Sequence, residues 1–175
     1  MQVKTKNMLK ASKKIILVGI FLAVFSIKAF CQLGEVSYDN RTKSKLIALG
    51  LKYEISDLGN FKVVFEMGDD RTQLVLINSS TNEYGGMEIR EITSVAAIAK
   101  DKSYFSQKTL YKLLDDNDKW KLGAWQISGD TDNYMLQFSV KISANSTQSV
   151  LEEILKLAAT IADTKEKELT ENDRY

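Results

Sequence analysis

Acidic residues are the side chains of this sequence best suited to chemistry. Asp69 and Asp70 form one candidate group, and Glu88 and Glu91 form another. Glycosidases use two carboxylates that flank the bond to be cleaved. The spacing of these four residues selects no two of them as a pair, and solvated turns commonly carry such acids. A hydrolase that acts on cell-wall or glycan material with carboxylates alone is therefore an alternative rather than our main prediction.

Residues 115–118, Asp-Asp-Asn-Asp, have the composition of a calcium-binding loop. An EF-hand loop needs oxygen ligands at alternate positions and a glutamate at position twelve. Counted from Asp116, position five is Trp120 and position twelve is Ile127, so the pattern fails. We interpret this run as an acidic turn that ends a helix, and we predict no metal and no cofactor.

The chain contains no histidine, and its one cysteine is Cys31. Histidine is the commonest general base and the commonest metal ligand. The part of the chain after Cys31 therefore lacks the residues of a Ser-His-Asp or Cys-His centre and of a disulfide bond. These absences favour a protein that is not an enzyme.

The first 31 residues have the pattern of a secretion signal. Five lysines precede an apolar run of 13 residues, Ile15 to Ile27, and no acidic residue occurs in this region. A membrane-spanning helix needs about 20 apolar residues. Ala29 and Cys31 are the small residues of a cleavage site that leaves Gln32 as the new terminus. We predict a signal peptide over 1–31 and a periplasmic or secreted protein.

Two other interpretations of this segment stay open. Cys31 is a possible lipid-acceptor residue, although Phe30 lies where lipoprotein signals have a small residue. The protein would then be an envelope-associated lipoprotein anchored through Cys31. Alternatively the segment is an uncleaved anchor, with Lys28 reaching the membrane interface. We expect contact with a membrane only in these two cases.

The charge of the chain changes when the predicted signal is removed. Residues 1–31 hold six lysines and no acid, so residues 32–175 carry 18 basic and 23 acidic side chains, a net charge of −5. An acidic domain without a basic stripe is poorly suited to nucleic acid, and we expect no nucleic-acid partner. The remaining 144 residues are enough for one domain with a hydrophobic core.

The hydrophobic pattern after residue 40 predicts an α+β domain. Residues 134–142 alternate apolar and polar side chains, as in a half-buried strand, and residues 150–162 form a broad apolar stripe with helical spacing. In chain order we predict helix 41–49, a segment 51–55 leading through a turn to strand 61–66, strands 73–78 and 87–95, helix 106–114, strands 121–128 and 133–142, and helix 146–165. The order α-β-β-β-α-β-β-α, joined mostly by hairpins, predicts an antiparallel sheet with helices on one face.

The segments around these elements are predicted as follows. Residues 32–40 form a flexible N-terminal segment, 41–165 a single domain, and 166–175 a charged tail that frays. The stretch 79–86 is a polar loop, and 96–99 begins a helix or leads into one.

Three stretches of the sequence carry a resemblance to a known family. They are LGLKYEI at 49–55, LLDDND followed by LGAWQI between 113 and 127, and VLEEILKLAATIAD at 150–163. Together with the order of elements they resemble the bacterial YbjN family, whose domain is similar to type III secretion chaperones. The resemblance covers most of 41–165 and implies a small, acidic, often dimeric protein-binding fold without an active site. It implies no functional residues for this chain, and the family is usually cytoplasmic, unlike a chain with an export signal.

Aromatic and polar residues of the last two strands are the candidates for an interaction surface. Trp125 lies in a predicted strand beside Ile127, so it either packs in the core or belongs to an aromatic contact surface. A sheet with helices on one face leaves its other face available to a partner. We predict a surface of Trp125, Met135, Gln137 and Lys141 that contacts a second copy or another protein. The predicted function is an exported, non-catalytic, homodimeric protein-binding module of chaperone-like fold.

Overall fold

The computed structural model describes residues 36–170. The predicted signal peptide, Cys31 and residues 171–175 lie outside the described residues. Within 36–170, no helix has the length and apolar character needed to cross a membrane.

Residues 36–170 form three α-helices, one short 3-10 helix and six β-strands. They are, in chain order, α1 (Asn40–Ala48), β1 (Glu54–Ile55), β2 (Phe61–Gly68), β3 (Arg71–Tyr84), β4 (Met87–Ala99), the 3-10 helix (Lys102–Tyr104), α2 (Gln107–Lys119), β5 (Ala124–Ser128), β6 (Tyr134–Ser143) and α3 (Gln148–Thr170). The order differs from the predicted one by the two-residue strand β1.

The six strands form one antiparallel sheet in the order β1-β2-β3-β4-β6-β5. Strands β1 to β4 follow one another as a meander, and β5 and β6 form the second hairpin. Because β6 pairs with β4, this hairpin places β5 at the edge of the sheet. The predicted α+β class and antiparallel sheet are confirmed.

All three helices lie on one face of the sheet, as predicted. The apolar stripe of α3 packs on β4, β3 and β6, and Leu155 in its centre is fully buried. Leu46 of α1 and Leu113 of α2 are buried in the same core. Each fully buried Leu or Ile contributes roughly 1.5–3 kcal/mol to folding, so this layer is the main source of stability.

The acidic run 115–118 does not end helix α2, which continues to Lys119. The prediction that this run ends the helix was wrong, because lysines near the run, one of them on another helix, pair with the negative charge of Asp116. The Asp116 carboxylate accepts hydrogen bonds from Lys119, at 2.7 Å, and from Lys165 of α3, at 3.3 Å. Its pKa is lowered first by the hydrogen bond from Lys119.

Two predicted interruptions of the sheet are strand instead. The predicted loop 79–84 continues β3, which pairs with β4 as far as Tyr84 opposite Met87. The stretch 96–99 belongs to β4, and Ile98 pairs with Met135 of β6 after a register shift between Val95 and Ala97. In both places a long neighbouring strand supplies backbone partners that local composition does not reveal.

The domain extends beyond both predicted boundaries. Tyr38, assigned to the flexible segment, packs its ring edge-on to Phe61 at a centroid distance of 6.0 Å. Asp39 caps α1 by accepting a hydrogen bond from the Thr42 N–H at 2.7 Å. At the other end α3 continues past residue 165, and Glu166, assigned to the charged tail, is fully buried.

Candidate functional site

Strand β6 separates the four predicted surface residues. Leu136, Phe138 and Val140 lie beneath the helices, so the alternating Met135, Gln137 and Lys141 lie on the uncovered face. We call this face, within the described residues, the open face. Lys141 is exposed, whereas Gln137 is only 8% exposed.

Trp125 does not belong to the open face, so its inclusion in the predicted surface was wrong. It pairs with Phe138 across β5 and β6 and therefore lies on the helix-covered side. The two rings make an edge-to-face contact at 5.4 Å, and Trp125 is 7% exposed. Core packing, the other interpretation of this residue, is what the structure has. Its backbone is held by Asn117, whose side-chain oxygen accepts from the Trp125 N–H at 2.6 Å.

The open face carries an apolar group that runs across four strands. Strand pairing places Val64 beside Leu74, and Ile98 beside Met135. Val64 is 60% exposed, and the others are exposed or half-buried. The group consists of Val64, Leu74, Leu76, Val95, Ile98 and Met135. Among these, sequence reasoning found only Met135, because alternation in β2 and β3 was assigned without deciding which face the helices cover.

Two shallow grooves flank Lys141 on the open face. One has a volume of about 360 Å³ and is lined by Asn82, Tyr84, Ile89, Glu91 and Lys141. The other, of about 290 Å³, is lined by Lys121, Leu122, Gly123, Ala124, Gln126, Ser139 and Lys141. The Glu91 carboxylate between them accepts a hydrogen bond from the Ser139 hydroxyl at 2.5 Å. The surface thus combines apolar, cationic and hydrogen-bonding groups without a pair of converging acids.

The two candidate glutamates are not assembled as a catalytic pair. Glu88 and Glu91 point to opposite faces of β4, because they are three residues apart in one strand. Glu88 pairs with Arg41 at 2.6 Å, and this hydrogen bond lowers the pKa of Glu88 to about 2. Asp69, in the turn between β2 and β3, pairs with Lys167 of α3. In the range 36–170, no group of three or more acidic side chains is placed to hold a metal ion.

A second apolar surface, on α2, was missed by the sequence analysis. Leu110, Leu113 and Leu114 have the spacing of neighbours on one side of this helix, but only Leu113 is buried. Leu114 is 64% exposed and Tyr111 is 59% exposed. We call Leu110, Tyr111 and Leu114 the α2 patch. The sequence did contain a signal for this patch. Leu114 lies three residues after Tyr111 and four after Leu110, so the three side chains are neighbours on the helix surface.

An apolar groove lies between the α2 patch and the edge strand β5. Its volume is about 280 Å³, and its lining includes Leu110, Leu114, Trp125, Ile127 and Leu136. Asn117 lies at this groove and donates its side-chain N–H to the Trp125 carbonyl at 3.4 Å as well as accepting from its N–H. The side chain of Asn117 thus occupies the backbone groups through which a further strand would pair at this position.

A buried ion network fixes the N-terminal end of the domain to the sheet. The Arg90 side chain is 2% exposed and pairs with Asp39 at 2.8 Å. It also donates to the carbonyls of Asn78 and Ser79. Burial raises the pKa of Asp39, but the hydrogen bonds from Arg41 and Thr42 and the charge of Arg90 outweigh it and lower the pKa to about 2. We interpret this network as structural, because its charged groups pair with one another and with backbone carbonyls of the domain.

Comparisons of the chain with protein-family models, with curated proteins and with solved structures gave no match.

Proposed function

We propose that this protein is an exported, non-catalytic protein-binding module of chaperone-like fold that uses the open face to hold another polypeptide. The observation that carries the proposal is the apolar group on this face, from Val64 to Met135, which no helix of the described residues covers. Contiguous exposed apolar surface with a polar surround is typical of protein interaction sites. Export is proposed from the signal pattern in residues 1–31.

The dimensions of the open face fit a protein partner. Six strands about 4.8 Å apart span roughly 24 Å, and ten residues of β6 at about 3.3 Å each span roughly 33 Å. The product is about 800 Å², an upper limit because the edge strands are short. Standard interfaces bury about 800 Å² on each partner. A small ligand would instead need an enclosed pocket.

The composition of the face also favours a polypeptide. Lys62, Glu91 and Lys141 supply charges of both signs around the apolar group, and Gln126 and Gln137 supply amides. An apolar centre with a mixed polar rim is the usual anatomy of a protein interface. The resemblance to the YbjN family is consistent with this proposal, and that family assignment stays a prediction.

Site-specific photo-crosslinking in cells that export the full chain tests the proposal. A photoreactive amino acid replaces Val64 on the open face, and in a control it replaces Ile47 on α1, which is also 60% exposed. We expect one defined adduct from position 64 and none from position 47, because only the open face contacts a partner. Mass spectrometry of the adduct distinguishes another polypeptide from a second copy of the chain.

If positions 64 and 47 gave only the same weak, unspecific crosslinking, the proposed use of the open face would be refuted. An adduct at position 64 should also disappear when Leu74, the cross-strand neighbour of Val64, is replaced by glutamate. Leu74 is half-buried on the solvent side of the sheet, so a charge there opposes a partner more than it opposes folding.

A further inference from the structure

An apolar groove and a cationic groove meet at the edge strand β5. The apolar groove is the one of about 280 Å³ between α2 and β5, and Trp125 lines it. The cationic groove is the one of about 290 Å³ that is lined by Lys121 and Lys141. Gln126 lines both grooves. Their combined volume lies in the range of roughly 300–1,000 Å³ that is typical of ligand sites.

The apolar groove differs from the open face in having walls. Leu110 and Leu114 of α2 form one wall, and Ile127 of β5 belongs to the other. Asn117 and Gln126 are the only polar residues in its lining. Apolar surface of this kind is unfavourable in water, so the groove favours an apolar occupant.

The side chain of Asn117 makes this groove a poor site for a peptide. It accepts from the Trp125 N–H at 2.6 Å and donates to the Trp125 carbonyl at 3.4 Å, so β5 offers no strand pairing at this position. A peptide in the groove would bury backbone N–H and C=O groups without partners there, which is unfavourable. An alkyl chain has no such groups, so an aliphatic ligand fits the groove better.

The cationic groove supplies charge for one end of such a ligand. Lys121 and Lys141 are exposed, and neither forms an ion pair or hydrogen bond with a residue of the range 36–170. They are the only charged residues that line either groove. Glu91 is the cross-strand neighbour of Lys141, and its carboxylate accepts from the Ser139 hydroxyl at 2.5 Å. Two lysines beside one carboxylate leave a net positive charge, which attracts an anionic group.

The spacing of the two grooves suits a ligand with one polar end. Gln126 pairs with Gln137, and Lys141 lies four residues further along β6, roughly 13 Å away. An extended long alkyl chain spans more than this distance. We propose that the two grooves form one binding site for a long-chain fatty acid, with the alkyl chain in the apolar groove and the carboxylate between Lys121 and Lys141. The inference goes beyond the proposed function, since it needs no polypeptide on the open face.

Quenching of tryptophan fluorescence by dibromostearic acid tests this site in the full chain purified from exporting cells. Bromine quenches tryptophan only at close range, and Trp125 in the lining of the apolar groove is the reporter. We expect saturable quenching at one acid per chain, with a dissociation constant in roughly the micromolar range. In competition with unbrominated acids, each methylene removed from the buried part of the chain should weaken binding about fourfold.

Substitutions in the two grooves separate the role of the charge from that of the apolar wall. Lys121→Gln and Lys141→Gln should each weaken binding about threefold, and less at high salt. Lys62→Gln is the matched control, because Lys62 lies on the open face in β2, separated from β6 by β3 and β4, and it should leave binding unchanged. Leu114→Gln should weaken binding about fivefold. Leu114 is 64% exposed, so this variant should keep the fold, which circular dichroism checks.

Stearyl alcohol has the same alkyl chain without the charge and should bind about tenfold more weakly than stearic acid. The absence of saturable quenching, equal binding of acid and alcohol, or an equal loss with K62Q and K121Q would each overturn the proposal. Tighter binding of a short leucine-rich peptide than of the acid would assign the groove to a polypeptide and would also overturn it. These outcomes are separate from the crosslinking at position 64, because Val64 lines neither groove.

Discussion

Replacing Asp39 by asparagine tests whether the buried ion pair with Arg90 anchors the start of the domain. Asparagine and aspartate are nearly equal as N-caps, so the variant keeps the hydrogen bond from the Thr42 N–H. It replaces the charged Oδ2, which accepts from Arg41 and faces Arg90, by an amide group that donates. The Arg90 guanidinium, 2.8 Å from the Asp39 carboxylate and almost completely buried, would lose its counter-ion.

The expected loss of stability follows from the partners that Arg90 keeps. Removing one member of a buried ion pair costs about 3–5 kcal/mol. The carbonyls of Asn78 and Ser79 still accept from Arg90, so we expect the lower end, about 3 kcal/mol. Asp39→Ala also removes the cap, which is worth about 1 kcal/mol, and should cost about 4 kcal/mol.

Urea unfolding followed by tryptophan fluorescence measures these differences. Glu152→Gln is the control, since Glu152 and Lys156 form an exposed pair at 2.7 Å on α3. Such a surface pair is worth about 0.5 kcal/mol or less. If D39N were no less stable than E152Q, the ion network would not anchor the start of the domain, and this result would contradict the reasoning.

The pH dependence of unfolding gives an independent check. The pKa of Asp39 falls from 3.8 to about 2 in the folded protein. A carboxyl group with a lowered pKa stabilises the fold above its unfolded pKa, and this stability is lost as the pH falls through the folded pKa. The shift corresponds to about 2 kcal/mol, lost between about pH 4 and pH 2. D39N should lack this part of the pH dependence, which a urea titration at each pH will show.

Two further substitutions test the region of β5. Gly123→Ala should destabilise the fold by about 2–4 kcal/mol. Gly123 has a φ of +84°, and an added Cβ would lie 2.7 Å from the Phe138 ring and 2.9 Å from the Ser139 carbonyl oxygen. Thermal unfolding measures this loss, and an unchanged melting temperature would contradict the geometry. Asn117→Ala should expose the outward backbone groups of Trp125, so its amide should exchange with deuterium at least tenfold faster, and protection equal to wild type would show that the side chain does not cover this edge.

Local periodicity in the sequence was enough to predict most elements. The alternation of Leu136, Phe138 and Val140 predicted β6, and the spacing of Ile154, Leu155 and Ala158 predicted the helix that covers the sheet. These signals are strong because each side chain is buried according to its own position in a strand or helix. The α+β class followed from the order of such elements.

The interaction surfaces were harder to predict. Which face of the sheet a side chain lies on, and how exposed it is, depend on residues far away in the sequence. Trp125 is buried because β5 pairs with β6 in a register that sets it opposite Phe138. Leu114 has the same apolar character as Leu113 but is exposed, since only Leu113 belongs to the hydrophobic core. No local pattern distinguishes these two leucines.

The sequence by itself determined the acidic charge after residue 31, the lack of histidine, and the periods that form helices and strands, since these properties belong to single residues and their neighbours. Only the tertiary structure decided that Asp39 would hold Arg90, that Asn117 would cover the edge of β5, and which apolar side chains would remain in water. Those outcomes depend on pairing between segments tens of residues apart, and the free energy that selects the pairing is a sum over the whole core.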